Sequence, residues 1–69
     1  MIQIKLNGEE KILEGSLKLS EIIAQQLNGK QARGVAVALN DFIIPKQKWD
    51  SVSINDNDEI EIVYAVQGG

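Results

Sequence analysis

Gly68 and Gly69 close the sequence behind Val66 and Gln67, and they are the residues best suited to chemistry. An α-carboxylate on Gly69 is ionised at neutral pH, with a typical pKa of about 3.3–3.7, and can attack an activated phosphate. Neither glycine has a Cβ, so this backbone can take conformations closed to other residues and thread a narrow protein channel. The competing reading is a frayed end without function, because disorder concentrates at termini. Other chemistry is sparse. Histidine and cysteine are both absent, so a zinc site of the usual kind, a Ser-His-Asp triad, a Cys-His pair or a disulfide cannot be built. No catalytic residue and no metal ligand set is expected in this chain.

Two acidic groupings need a reading of their own. Glu59 and Glu61 have the residue type of a general acid–base pair, but a spacing of two on a strand marks a polar face open to solvent. Asp56-Asn57-Asp58 starts like a calcium loop, yet the glycine and the later bidentate glutamate are not at the required spacing. Together these carboxylates concentrate negative charge shortly before the tail, where they are expected to steer a basic partner surface.

The elements that must position the tail follow from periodicity. Ile2, Ile4 and Leu6 alternate with Gln3 and Lys5, as in a strand with one buried face. Asn7-Gly8 is the dipeptide most favoured in a two-residue hairpin, so a second strand, near Glu9 to Leu13, should return antiparallel. Leu19, Ile22, Ile23 and Leu27 fall on one face of a helix, which starts near Ser16 or Lys18 and stops at Asn28-Gly29. Val35, Val37 and Leu39 alternate with Ala36 and Ala38, a strand whose second face is also apolar. Asn40-Asp41 is a turn, and Phe42-Ile43-Ile44 reads as a short strand stopped by Pro45. Ile60, Ile62 and Tyr64 alternate with Glu59, Glu61 and Val63 in a last strand. The order leads to a mixed sheet of four to five strands with one helix across a face, the α+β layout of a β-grasp domain. That gives a domain over residues 1–64 and a flexible tail over 65–69, which extends at most roughly 16–18 Å.

Composition sets the outer limits. The chain has 69 residues and a net charge of −3. A domain of this size buries only about 60% of its unfolded surface. An acidic balance argues against nucleic acid, whose binding rests on Lys and Arg contacts to phosphates. No apolar run approaches the ~20 residues of a membrane span, and the N-terminus alternates where a signal peptide would be continuously apolar. A soluble, cytoplasmic protein is expected.

A small β-grasp domain ending in Gly-Gly resembles the ubiquitin-like sulfur carriers. The run Ala38-Leu39-Asn40-Asp41-Phe42-Ile43-Ile44-Pro45, followed by Trp49, is similar to the central motif of the ThiS family, which serves thiamin thiazole synthesis. Asp56-Asn57-Asp58-Glu59-Ile60-Glu61-Ile62 resembles the turn and last strand of the same family. The resemblance spans essentially the whole chain. One departure is Asn57, where the family commonly has Gly; Asn tolerates the left-handed region better than most residues.

The resemblance implies a protein co-substrate. An activating enzyme of the ubiquitin-activating type would use Mg-ATP to adenylate the Gly69 carboxylate. A sulfur donor such as a cysteine desulfurase would convert it to a thiocarboxylate, and thiazole synthase would take the sulfur. No cofactor would be bound by the chain itself. Gly69 would carry the reacting carbon, Gly68 would fit the channel, and Ala65, Val66 and Gln67 would place the tail. The alternatives are a carrier like the small subunit of molybdopterin synthase, a ubiquitin-like protein modifier, and a plain β-grasp interaction domain with an inert tail. Among the aromatics, Trp49 and Tyr64 are expected in the core. Phe42, beside a turn, is a candidate for either core or interface. Oligomeric state is left open.

Overall fold

The computed structural model describes residues 1–29 and 34–64. Its chain order is β1 (Ile2–Leu6), β2 (Glu9–Leu13), α1 (Leu19–Leu27), β3 (Val35–Leu39), β4 (Phe42–Ile43), a 3-10 helix (Lys46–Ser51) and β5 (Glu59–Tyr64). The strands form one sheet in the order β2-β1-β5-β3-β4. β1 and β5 run parallel, while the β1–β2, β3–β5 and β3–β4 pairs are antiparallel. This is the β-grasp arrangement, and it makes β5, the strand leading to the tail, the middle strand.

Local chemistry accounts for the turns. Asn7 and Gly8 have φ of 51° and 83°, both positive as a type I′ hairpin requires. Asn40 and Asp41 repeat this with φ of 50° and 74° between β3 and β4. The helix starts at Leu19 with Lys18 as its cap residue, and the Glu21 carboxylate accepts the Lys18 backbone N–H at 2.9 Å. It ends on Asn28 in the left-handed conformation, whose N–H donates to Ala24 O at 3.1 Å.

Asn57 also lies in the left-handed region, with φ of 70°. Its backbone N–H donates to Gln3 O at 2.7 Å, and the neighbouring Asp56 carboxylate accepts the Gln3 N–H at 2.7 Å. The turn before β5 is thereby fastened to β1. Asn57→Gly should leave stability within about 0.5 kcal/mol, whereas Asn57→Val should cost about 1–2 kcal/mol, because a β-branched side chain is strained at this φ. Urea denaturation of the two variants measures the difference.

The core is Ile4, Leu6, Leu19, Ile22, Ile23, Leu27, Val37, Trp49, Ile54, Ile60 and Ile62. The helix stripe and the inward residues of β1, β3 and β5 supply most of it, as their periodicities require. Trp49 is in the core as expected, at 5% exposure, and its Nε1–H donates to Ile44 O at 2.9 Å. It reaches that place through the 3-10 helix, which follows Pro45 and which no sequence period announces. Ile54 is buried through a second unannounced feature. Residues 52–54 run beside 17–19, with Leu19 N–H to Val52 O and Ile54 N–H to Leu17 O both at 2.8 Å.

Two expectations are corrected. β4 covers Phe42–Ile43 and excludes Ile44, although the Ile44 N–H still donates to Val37 O at 2.9 Å. Tyr64 is 50% exposed and does not join the core. It pairs with Val35 on the last rung of the β3–β5 ladder, while the β1 register against β5 ends with Leu6 opposite Ile60. One flank of Tyr64 therefore lacks a strand. The domain assigned to 1–64 is described here except for 30–33, and the tail assigned to 65–69 lies outside the described residues.

Candidate functional site

Ala65, Val66, Gln67, Gly68 and Gly69, the residues expected to carry the chemistry, lie outside the described residues. The elements that lead to them are well defined. β5 is bonded on both sides. Toward β1, the Lys5 N–H donates to Asp58 O at 3.0 Å and the Asn7 N–H to Ile60 O at 2.9 Å. The Asn7 side chain extends this ladder one step, because its Oδ1 accepts the Ile62 N–H at 2.7 Å. Toward β3, pairing continues from Leu39 opposite Ile60 to Val35 opposite Tyr64. The start of β5 is clamped as well: the Asn40 carboxamide accepts the Glu59 N–H at 2.9 Å and donates to Asp58 at 3.0 Å. Main-chain and side-chain bonds thus hold β5 from its start to Ile62 on one side and to Tyr64 on the other.

The sheet face opposite the helix follows from strand register. Cross-strand partners share a face, so Glu59, Lys5 and Glu10 form one row. Ile43, Ala38 and Glu61 form the next, and Ala36 with Val63 the one beyond. Ile43 is 70% exposed and Val63 57%. An apolar strip therefore runs from the β4 edge towards the end of β5, beside Glu61 and the Lys5–Glu59 row. A shallow depression of about 210 Å³ lies within the same face, lined by Lys5, Asp41, Glu59 and Glu61 among others. It is smaller than the ~300–1,000 Å³ of small-molecule sites, and its three carboxylates oppose a phosphate-bearing ligand.

Phe42 is 73% exposed, which settles its two readings against the core. It is the cross-strand partner of Leu39, so it sits on the helix side of the β4 edge, on the face opposite Ile43. The outward strip thus consists of residues that sequence reasoning did not select, Ile43 and Val63. The available signal was the second apolar face of β3, formed by Ala36 and Ala38.

Glu59 and Glu61 are exposed on that face, as their spacing suggests. The two aspartates are placed otherwise than expected. Asp56 and Asp58 bind backbone N–H groups of Gln3 and Asn55 at 2.7 Å each. They sit just before β5, which spans about 17 Å from Glu59 to Tyr64 at ~3.3 Å per residue. They are near the tail in sequence and distant in space, so Glu61 is the acidic residue closest to it on this strand. No cluster of three potential metal ligands occurs among the described residues. Among the same residues, no helix is long and apolar enough to cross a membrane.

Known proteins match this chain over nearly its full length. The ThiS family model matches residues 4–69. A sulfur carrier protein ThiS from Thermus thermophilus is 36% identical over 64 residues, covering 93% of this chain and 95% of that protein. A thiazole synthase from Paramagnetospirillum magneticum is 34% identical over 68 residues, covering 99% of this chain; the chain spans a fifth of that longer protein. The crystal structure of a thiamine biosynthesis protein (ThiS) from Geobacter metallireducens superposes with a TM-score of 0.79 at 28% identity. It covers 99% of this chain and all of that one.

Proposed function

The chain belongs to the ThiS family, and from that premise we propose that it carries sulfur on the carboxylate of Gly69 for thiazole formation in thiamin biosynthesis. The observation that supports this most is the extent of the family match, which runs through Gly69 and so takes in the Gly-Gly pair. The small relative that it matches along nearly the whole length is a carrier by name. The chain acts as a co-substrate, in keeping with a sequence that has no histidine or cysteine.

A free carboxylate is a poor electrophile, because its charge is shared by two oxygens and neither leaves. An activating enzyme with Mg-ATP removes that obstacle. One Gly69 oxygen attacks the α-phosphorus, pyrophosphate departs, and the acyl-adenylate acquires AMP as a leaving group. A desulfurase takes sulfur from cysteine as a persulfide, and the outer sulfur of that persulfide displaces AMP to give an acyl disulfide. A second thiol reduces the S–S bond, releasing the thiocarboxylate and leaving a disulfide on the donor. Thiazole synthase then takes the sulfur. Similarity to a longer protein named thiazole synthase supports this pairing. The setting of these steps is the cytoplasm.

The strip of Ile43, Ala38, Ala36 and Val63 is the docking surface in this reading, beside the strand that leads to the tail. Ile43→Asp or Val63→Asp should each weaken binding to the activating enzyme by roughly tenfold or more. Stability should change by no more than about 1 kcal/mol, since both side chains are exposed. Phe42→Asp, on the opposite face, should have the smallest effect of the three. The function itself is tested by intact mass after incubation with the activating enzyme, Mg-ATP and a sulfur donor. An oxygen-to-sulfur exchange mapped to Gly69 is the expected result, and an unchanged mass with no adenylate overturns it.

A further inference from the structure

The tripeptide Leu-Asn-Gly occurs twice, as Leu6-Asn7-Gly8 and as Leu27-Asn28-Gly29. An Asn-Gly bond is chemically vulnerable, because glycine leaves the backbone nitrogen unshielded and free to turn. The glycine nitrogen attacks the asparagine Cγ, a new C–N bond closes a five-membered succinimide, and the side-chain nitrogen leaves as ammonia with the displaced proton. Water then opens the ring at one carbonyl or the other. The product is aspartate, or isoaspartate with the main chain rerouted through the side chain. The two copies share this chemistry, so a difference between them is imposed by the fold.

The fold holds them differently. The Asn7 Oδ1 accepts the Ile62 N–H at 2.7 Å and the Asn7 N–H donates to Ile60 O at 2.9 Å. Turning Cγ towards the Gly8 nitrogen would release the amide of Ile62, a partly buried donor in the middle strand, and leave it unsatisfied. Asn28 is exposed at the end of α1, in the left-handed conformation, with its N–H on Ala24 O at 3.1 Å. That bond belongs to the last turn of a helix, which opens more readily than a central ladder.

We propose that Asn28 is a site of spontaneous deamidation in the folded protein and that the Asn7–Ile62 bond protects the second copy. Water is the co-reactant and no enzyme is needed. The reaction puts a carboxylate at a helix C-terminus, where the dipole disfavours negative charge, and makes the chain one unit more acidic. The copy that supports β5 is spared.

The test uses the full chain, aged in mildly alkaline buffer at body temperature. Intact mass reads the one-dalton gain, and proteolytic peptides separate aspartate from isoaspartate at each position. Asn28 should react roughly tenfold or more faster than Asn7 in the folded protein, and the two should react at similar rates in urea. Asn28→Gln should remove the mass gain seen in the folded chain. Equal rates in the folded state, a faster Asn7, no reaction at Asn28, or a gain that persists in the Asn28→Gln variant would each overturn the proposal.

Discussion

Deletion of Gly69 is expected to lower thiocarboxylate formation by about a thousandfold or more while the domain folds as before. The truncated chain still ends in a carboxylate, on Gly68, so the chemistry of the reacting group is unchanged. What changes is its position. Removing one extended residue withdraws the carboxylate by about 3.3–3.6 Å. Reacting atoms must approach to about 3–3.5 Å, and a misplacement of even 1 Å can cost about a hundredfold. The lost reach is several times that tolerance. The core is built from Ile4 to Ile62, so stability should stay within about 0.5 kcal/mol. Single-turnover adenylation assays beside urea denaturation separate the two effects. Normal adenylation by the shortened chain would remove Gly69 from its proposed role.

The largest effect on stability is expected at Trp49. A domain of 69 residues has roughly 3–10 kcal/mol in hand, and truncating a buried tryptophan costs about 3–5 kcal/mol. Trp49→Ala should therefore leave much of the protein unfolded at body temperature. The ring is buried in the same core cluster as the α1 stripe, and its Nε1–H donates to the Ile44 carbonyl at 2.9 Å. Trp49→Phe keeps much of the apolar volume and loses this donor, for about 1–3 kcal/mol. Far-ultraviolet circular dichroism in urea follows both variants without relying on the missing fluorophore. A Trp49→Ala protein as stable as the parent would show that the ring is dispensable to the core.

Much of the architecture was legible because it is local. Alternation in β1, β3 and β5, the four-residue stripe of α1, and the turn pairs Asn7-Gly8 and Asn40-Asp41 depend on neighbours a few residues apart. The 3-10 helix was not legible. It is held by Pro45, by the Trp49 ring and by the Ser20 hydroxyl donating to Asp50 at 2.7 Å, which lies 30 residues away. Of the expected site residues, Phe42 is exposed as one of its two readings allowed, but its alternation with Ile43 puts it on the opposite side of the edge.

What the sequence by itself supplied was the proposed reactive group, the expectation of no catalytic side chains and the alphabet of elements. These depend on residue type and short spacing. Only the tertiary structure decided which strand leads to the tail from the middle of the sheet, since β1 and β5 meet across more than fifty residues of chain. It also decided that Ile43 and Val63 share an open face with Glu61, that Tyr64 stands clear of the core, and that Asp56 and Asp58 are bound into a turn at the far end of β5. Each of these depends on cross-strand register, and register is set by which distant segments bury their apolar faces together.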